Sequence, residues 1–92
     1  MYDRTMTRLA AHARVLIQRG ELPCTNNPTV WAGHGIGKPC SLCHGVISPQ
    51  EVVYEVEVKP EGPIALQALR FHITCHTAWV VVCSERPLAS TA

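Results

Sequence analysis

Two short motifs constrain the folding of this chain more than any other feature of its sequence. Cys40 and Cys43 form a Cys-x2-Cys pair, and His72 and Cys75 form a His-x2-Cys pair further along. A Cys-x2-Cys pair on a tight turn lets two thiolates converge on one ion about 2.3 Å away. Residues three apart on a helix share a face, so the second pair can reach the same point from a helix start. The spacing predicts one structural zinc ion bound by all four residues in a closed Cys3His site.

The length of the chain and its number of cysteines favour a metal-dependent fold. The chain has 92 residues and five cysteines. Chains of this size commonly depend on a disulfide, a metal or a partner for stability. The odd cysteine count, without a leading segment of signal-peptide type, indicates a reduced, cytoplasmic setting in which clustered thiols bind metal. Cys24 and Cys83 have no ligand neighbours in the sequence, and we expect each to be an unpaired thiol.

The histidine ligand has two rivals. His76 lies one turn after His72 on the same helical face, and His44 directly follows the first cysteine pair. Either could replace a ligand or form a hydrogen bond to one. We favour His72 because it precedes the predicted helix beside the hairpin end and matches the usual spacing of treble-clef sites.

Hydrophobic periodicity predicts a helix, a strand hairpin and a second helix. Residues 5–19 place apolar side chains at helical spacing, and Gly20 follows as a helix stop. Residues 51–59 alternate as in a strand with one buried face, and residues 65–71 return as its partner after a turn at 59–63. The valine-rich residues 73–83 favour a helix by their length and by the spacing of their special residues. On the buried strand face we place Val52, Tyr54, Val56 and Val58, with Val53 as an apolar exception on the other face.

These segments predict a small α+β, treble-clef-like zinc domain with an N-terminal amphipathic helix. Of the two tryptophans, we expect Trp79 to be a core residue that shields the zinc site. Trp31 lies in a glycine-rich segment, where it is either a core plug or an exposed contact residue. The chain divides into an N-terminal helix at 1–20, a Gly/Pro-rich loop at 21–39, the zinc-binding domain at 40–83 and a flexible tail at 84–92.

The spacing Cys-x2-Cys-x28-His-x2-Cys, with a hairpin between the pairs and Phe71 before the histidine, resembles the poly(ADP-ribose) polymerase-type zinc finger. The resemblance covers about residues 38–83, and more loosely the segment is similar to other treble-clef fingers, including LIM-type modules. It implies that the cysteine pair lies on a knuckle and that His72 and Cys75 open a helix. The polymerase fingers bind DNA breaks through basic and apolar residues around the hairpin. The corresponding strand here is acidic, so the resemblance implies the fold and not that ligand.

A closed site and a nearly neutral charge favour a non-enzymatic interaction module. Catalytic zinc keeps an open coordination position, whereas four protein ligands fill it. The formal net charge of +1 is far from the basic footprint of a dedicated nucleic-acid binder. A phosphate loop at 33–38 has the wrong spacing, and a redox dithiol at Cys40 and Cys43 leaves the second pair unexplained. We expect another protein or self-association as the partner, with no membrane and no small-molecule substrate.

The alternative is a nucleic-acid-binding regulator that uses the basic face of the first helix. This face carries three arginines and a histidine: Arg4, Arg8, His12 and Arg19. Most such faces are simply solvated, but these side chains could contact phosphates or an acidic partner. They could also pair with the acidic residues of the predicted strand, Glu51, Glu55 and Glu57, within the chain or across a dimer.

Overall fold

The computed structural model describes residues 4–24, 29–58 and 67–85. These residues form two helices and one antiparallel sheet of three strands in the order β1-β2-β3, which confirms the predicted α+β class. Along the chain the elements are α1 (Arg4–Gln18), β1 (Thr29–His34), β2 (Val52–Val58), β3 (Gln67–Phe71) and α2 (Ile73–Glu85).

The first helix packs against the last. α1 follows its apolar stripe and buries Ala10, Ala13 and Leu16 where it meets α2. Gly20 ends the helix with a φ of 76°, a conformation that glycine adopts without a Cβ penalty. Its amide donates a hydrogen bond to the Ile17 carbonyl at 3.1 Å. The helix is therefore joined to the sheet domain through α2 and is not a separate arm.

The core lies between the sheet and α2. The second helix packs on β2 and β3, where it covers Val56, Val58 and Phe71. Trp79 of α2 is only 1% exposed, and its ring stacks on Phe71 with centroids 5.1 Å apart. The predicted core role of Trp79 is therefore confirmed, and the aromatic stack joins the helix to the sheet.

The burial of β2 departs from simple alternation at one end. Val52 is 39% exposed, whereas Val53 on the opposite face is only 8% exposed. Val52 pairs with His34 of β1, and β1 makes no contact with either helix among the described elements. Val52 therefore stays partly in solvent although its position in the strand predicts burial.

The predicted loop at 21–39 contains a strand. β1 pairs with β2 in antiparallel register, from Thr29 opposite Glu57 to His34 opposite Val52. Its valine, threonine and tryptophan favour strand structure, while glycines and prolines on both sides dominate the local pattern. All six of its residues are exposed, and Trp31 is 50% exposed. Trp31 is thus not a core plug.

The expectation that Cys24 and Cys83 are unpaired is wrong. A disulfide joins them across 59 positions of sequence, with their Cα atoms 5.6 Å apart. The packing of α1 on α2 creates this proximity, which spacing does not reveal. Beside the bond, the Trp79 indole donates a hydrogen bond to the Pro23 carbonyl at 2.9 Å. Disulfides are typical of oxidising compartments. The cysteines therefore no longer support the expected reduced, cytoplasmic setting.

Some predictions fall at the limits of the described residues. The turn at 59–63 lies outside them, as do residues 86–92 of the predicted tail. Ser84 and Glu85, placed in that tail, belong to α2. Within the described chain, neither helix has the length and apolar character needed to cross a membrane.

Gly35 provides a test of the packing between β1 and the segment before β2. A Cβ at this position would overlap the backbone oxygens of Ile47 and Ser48, whereas a Cβ at Gly33 would meet no atom within 4 Å. Overpacking against backbone is costly, so we expect Gly35→Ala to lower the free energy of unfolding by about 2–3 kcal/mol. Chemical denaturation of the metal-loaded protein measures this change. Gly33→Ala is the matched control, and equal stabilities of the two variants would contradict the packing described.

Candidate metal centre

The structure brings the two predicted ligand pairs together. The ligand atoms of Cys40, Cys43, His72 and Cys75 all lie within 4.8 Å of one another. Around a tetrahedral zinc ion, ligand atoms are separated by about 3.5–3.8 Å, given its usual bond lengths. The Nδ1 atom of His72 lies 3.4 Å from the Cys43 sulfur and 3.9 Å from the Cys75 sulfur. The cluster is therefore of the size that one metal ion requires.

The first pair lies on a tight turn that directs backbone amides at its sulfurs. The amide of Leu42 donates to the Cys40 sulfur, and the amide of Gly45 donates to the Cys43 sulfur, both at 3.4 Å. The turn closes through a 2.8 Å hydrogen bond from the Cys40 amide to the Gly45 carbonyl. His44 adopts a φ of 67° to complete it. Amide donors stabilise the thiolate form that a metal ion needs.

A clamp between the knuckle (residues 40–45) and β3 fixes the distance to the second pair. The Ser41 amide donates to the Arg70 carbonyl at 2.6 Å, and the Arg70 amide donates to the Ser41 hydroxyl at 3.0 Å. Arg70 is two residues before His72, so this clamp holds the knuckle beside the strand that delivers the histidine. Ser41 could not be predicted from the sequence, because a serine between two cysteines has no distinctive spacing of its own.

His72 is oriented by contacts on the ring nitrogen that faces away from the sulfurs. Its Nε2 atom lies 3.3 Å from the Val46 carbonyl and 3.8 Å from a Glu51 carboxylate oxygen. A proton on Nε2 is donated to Val46, which leaves the Nδ1 lone pair directed at the metal position. The Ser48 amide donates to Glu51 at 2.9 Å, and this bond lowers the pKa of the Glu51 carboxyl. Such second contacts are usual for histidine ligands of metals.

The second pair opens α2, as the spacing predicts. His72 immediately precedes the helix, and its carbonyl accepts the His76 amide at 2.9 Å. Cys75 lies in the first turn and is buried. The orphan amides and the positive dipole end of a helix start favour a thiolate there.

The two rival histidines lie elsewhere. The His76 ring packs on Tyr54 with centroids 4.8 Å apart, and also contacts Phe71 and Trp79. Burial lowers the pKa of His76, so its ring is neutral at neutral pH. The exposed ring of His44 turns to His12, with centroids 6.1 Å apart. Among the described residues, His72 is the histidine that groups with the three cysteines.

Cys40 and Cys75 are linked by a hydrogen bond between their side chains. A hydrogen bond from the Cys75 thiol lowers the pKa of Cys40 to about 4, against the opposing effect of burial. The same hydrogen bond, together with burial, raises the pKa of Cys75. At neutral pH the Cys40 thiolate therefore accepts a hydrogen bond from the Cys75 thiol. A metal ion must displace that proton to use both sulfurs.

Among the described residues of the chain, no ion pair joins the basic face of α1 to Glu51, Glu55 or Glu57. Arg4, Arg8 and Arg19 are all exposed, and Arg19 pairs with Glu21 at 2.8 Å. The carboxylate of Glu55 in β2 instead pairs with Arg70 of the neighbouring β3 at 3.2 Å. Arg19 and Glu55 thus pair with residues close to them in the chain or the sheet.

The chain matches no protein-family model, no curated protein and no solved structure.

Matched leucine substitutions distinguish the two candidate histidines. His72→Leu removes the imidazole that faces the sulfurs, so we expect the affinity for zinc to fall by more than about 100-fold. Loss of a residue that only supports a ligand typically lowers metal affinity by about 10–100-fold. His76→Leu places an apolar side chain among aromatic rings and should keep one metal ion per chain. Elemental analysis and competition with a chelator of known affinity measure both effects. Loss of metal from His76→Leu alone would contradict this ligand set.

The raised pKa of Cys75 gives zinc binding a pH dependence. Between pH 6 and 8 the thiol of Cys75 carries its proton in the metal-free chain, while Cys40 is already ionised. Because zinc displaces the Cys75 proton, the association constant should rise about tenfold per pH unit for each proton released. Chelator competition at several pH values, corrected for protonation of the chelator, measures the slope. A flat profile over this range would refute the proton displacement.

Proposed function

We propose that this chain is a non-enzymatic protein-interaction module whose fold is held by one structural zinc ion. The observation that carries this proposal is the closed donor set, in which three sulfurs and one imidazole nitrogen lie within 4.8 Å of one another. Thiolate and imidazole donors in tetrahedral arrangement are typical of zinc. Four protein ligands fill its coordination shell, so the metal organises the chain and has no free position for a substrate.

The path of the chain around the site supports a treble-clef-like fold. The knuckle comes first, the β2–β3 hairpin follows, and α2 begins directly after His72. The chain resembles the poly(ADP-ribose) polymerase-type finger in the spacing of its ligands, and that resemblance implies the same order of elements. The hairpin contributes the Ser41–Arg70 clamp, so the metal and the sheet stabilise each other.

The surface supports a protein partner more than a nucleic acid. Exposed apolar side chains occur on β1, in the segment that follows it, beside the knuckle and at the start of β2: Val30, Trp31, Ile36, Val46 and Val52. The side chains of Arg14 and Arg19 are already paired with Glu85 and Glu21. A phosphate-binding surface requires free cations, whereas exposed aromatic and aliphatic side chains are typical of protein contacts.

Removal of the metal tests the scaffold role. Protein purified without added metal should contain one zinc ion per chain, and chelation should unfold the sheet domain with loss of near-UV circular dichroism. The reason is that apparent zinc-binding energies in finger peptides, about 10–16 kcal/mol, exceed the stability of a small domain. Restoring zinc should restore the signal. A chain that stays folded after its zinc has been removed would contradict this role.

A salt titration on the zinc-loaded chain distinguishes the nucleic-acid alternative from the protein-interaction proposal. Random duplex and single-stranded DNA and RNA serve as probes, with Arg4→Ala and Arg8→Ala as variants of the exposed basic face. Micromolar binding that weakens steeply with salt, and that both substitutions abolish, would replace the protein-interaction proposal. Absence of binding at low salt would support it, whereas binding that both variants retain would place a nucleic-acid contact on another surface and count against it.

A further inference from the structure

β1 is an edge strand that no described element covers on either face. All six of its residues are exposed, and among the helices and strands it contacts β2 alone. The first helix packs on α2, and α2 packs on β2 and β3. Edge strands of this kind present unpaired backbone groups and are templates for pairing with another strand.

The register of the sheet identifies which backbone groups lie at the open edge. The Gly35 amide donates to the Glu51 carbonyl at 2.9 Å, in line with the register in which His34 lies opposite Val52. Hydrogen-bonded and non-hydrogen-bonded pairs alternate along an antiparallel ladder. The backbone of Gly33 and Trp31 therefore faces β2. The amides and carbonyls of Val30, Ala32 and His34 face away from it.

The opposite edge of the sheet is closed. There the outward backbone groups of Arg70 in β3 are both bonded to Ser41 of the knuckle. The described part of the molecule thus blocks one edge of its sheet and leaves the other open. The open strand, Thr29–His34, contains no proline, lysine or acidic residue that would discourage pairing.

We propose that β1 pairs antiparallel with β1 of a second copy, about a two-fold axis at Ala32, so that two sheets join into one of six strands. This inference rests on the proposed interaction function and names its partner. Pairing about Ala32 matches outward backbone groups with outward backbone groups, with Val30 of each copy opposite His34 of the other. The interface is isologous, because the same strand serves both sides.

The side chains of β1 complement themselves in this arrangement. Trp31 of each copy lies across from Gly33 of the other, and the space above Gly33 is open, with no atom within 4 Å of an added Cβ. An aromatic ring over a cross-strand glycine shields its exposed backbone and pins the register. The strand contains no lysine, arginine, aspartate or glutamate, so self-pairing brings no acidic or basic rows together.

The size of the strand sets the strength of the dimer. Stable interfaces bury at least about 1,200 Å² of accessible surface in total. Two six-residue strand edges, each with one large aromatic side chain, bury less than this area. A concentration-dependent monomer–dimer equilibrium is therefore expected, with the half-exposed Trp31 as the main energetic anchor.

Sedimentation velocity of the full zinc-loaded chain tests the proposal, from about 5 to 500 μM, the range in which so small an interface dissociates. The mass should rise from one chain to two with concentration. Ala32→Pro removes only an outward amide, which edge strands tolerate, and should lower the association constant more than tenfold, as should Trp31→Lys. Val80→Lys, at an exposed position on α2, is the matched control and should dimerise like the parent chain.

Zinc content and circular dichroism establish that each variant is folded. A parent chain that stays monomeric throughout would overturn the proposal, as would dimers that persist in both β1 variants. Dimers lost only in Val80→Lys would place the interface on α2 and also overturn it. Each of these results leaves the zinc scaffold standing, because that scaffold fails only if the metal is absent or dispensable.

Discussion

Three sulfurs and one imidazole nitrogen converge on one point from two separate segments of the chain. Without a cation, a hydrogen bond links the Cys75 thiol to the Cys40 sulfur, and electrostatic repulsion from the neighbouring sulfurs opposes ionisation of Cys75. A divalent cation removes that repulsion and turns the cluster into a cross-link. The knuckle begins at Cys40, and His72 lies between the end of the hairpin and the start of α2, so an ion bound here would link these three parts.

The residues around the ligands matter as much for geometry as the ligands themselves. Ser41 bonds both backbone groups of Arg70 and so sets the spacing between the knuckle and β3. Val46 and Glu51 hold the far side of the His72 ring. These contacts orient the donors before any ion binds. Preorganised donors lower the entropic cost of metal capture, which is why outer contacts commonly change metal affinity.

Local patterns predict much of this structure, and long-range packing accounts for the rest. The ligand set, α1, β2 and α2 follow from spacing and periodicity within short windows. β1 does not, because its strand character arises from pairing with β2 and is hidden between glycines and prolines. The exposure of Val52 depends on how the helices are placed against the sheet. The Cys24–Cys83 bond depends on the packing of α1 on α2, and neither arrangement has a signature in the neighbouring residues.

The disulfide has a topological consequence for the metal site. It closes a covalent ring from Cys24 to Cys83, and this ring contains all four ligands and all three strands. An unfolded chain that keeps the bond is a cyclic polymer, with fewer conformations than an open one. Its two ligand pairs are confined to a smaller volume and encounter each other at a higher effective concentration. A bond that contributes no atom to the coordination shell therefore raises the rate at which the unfolded chain can assemble it.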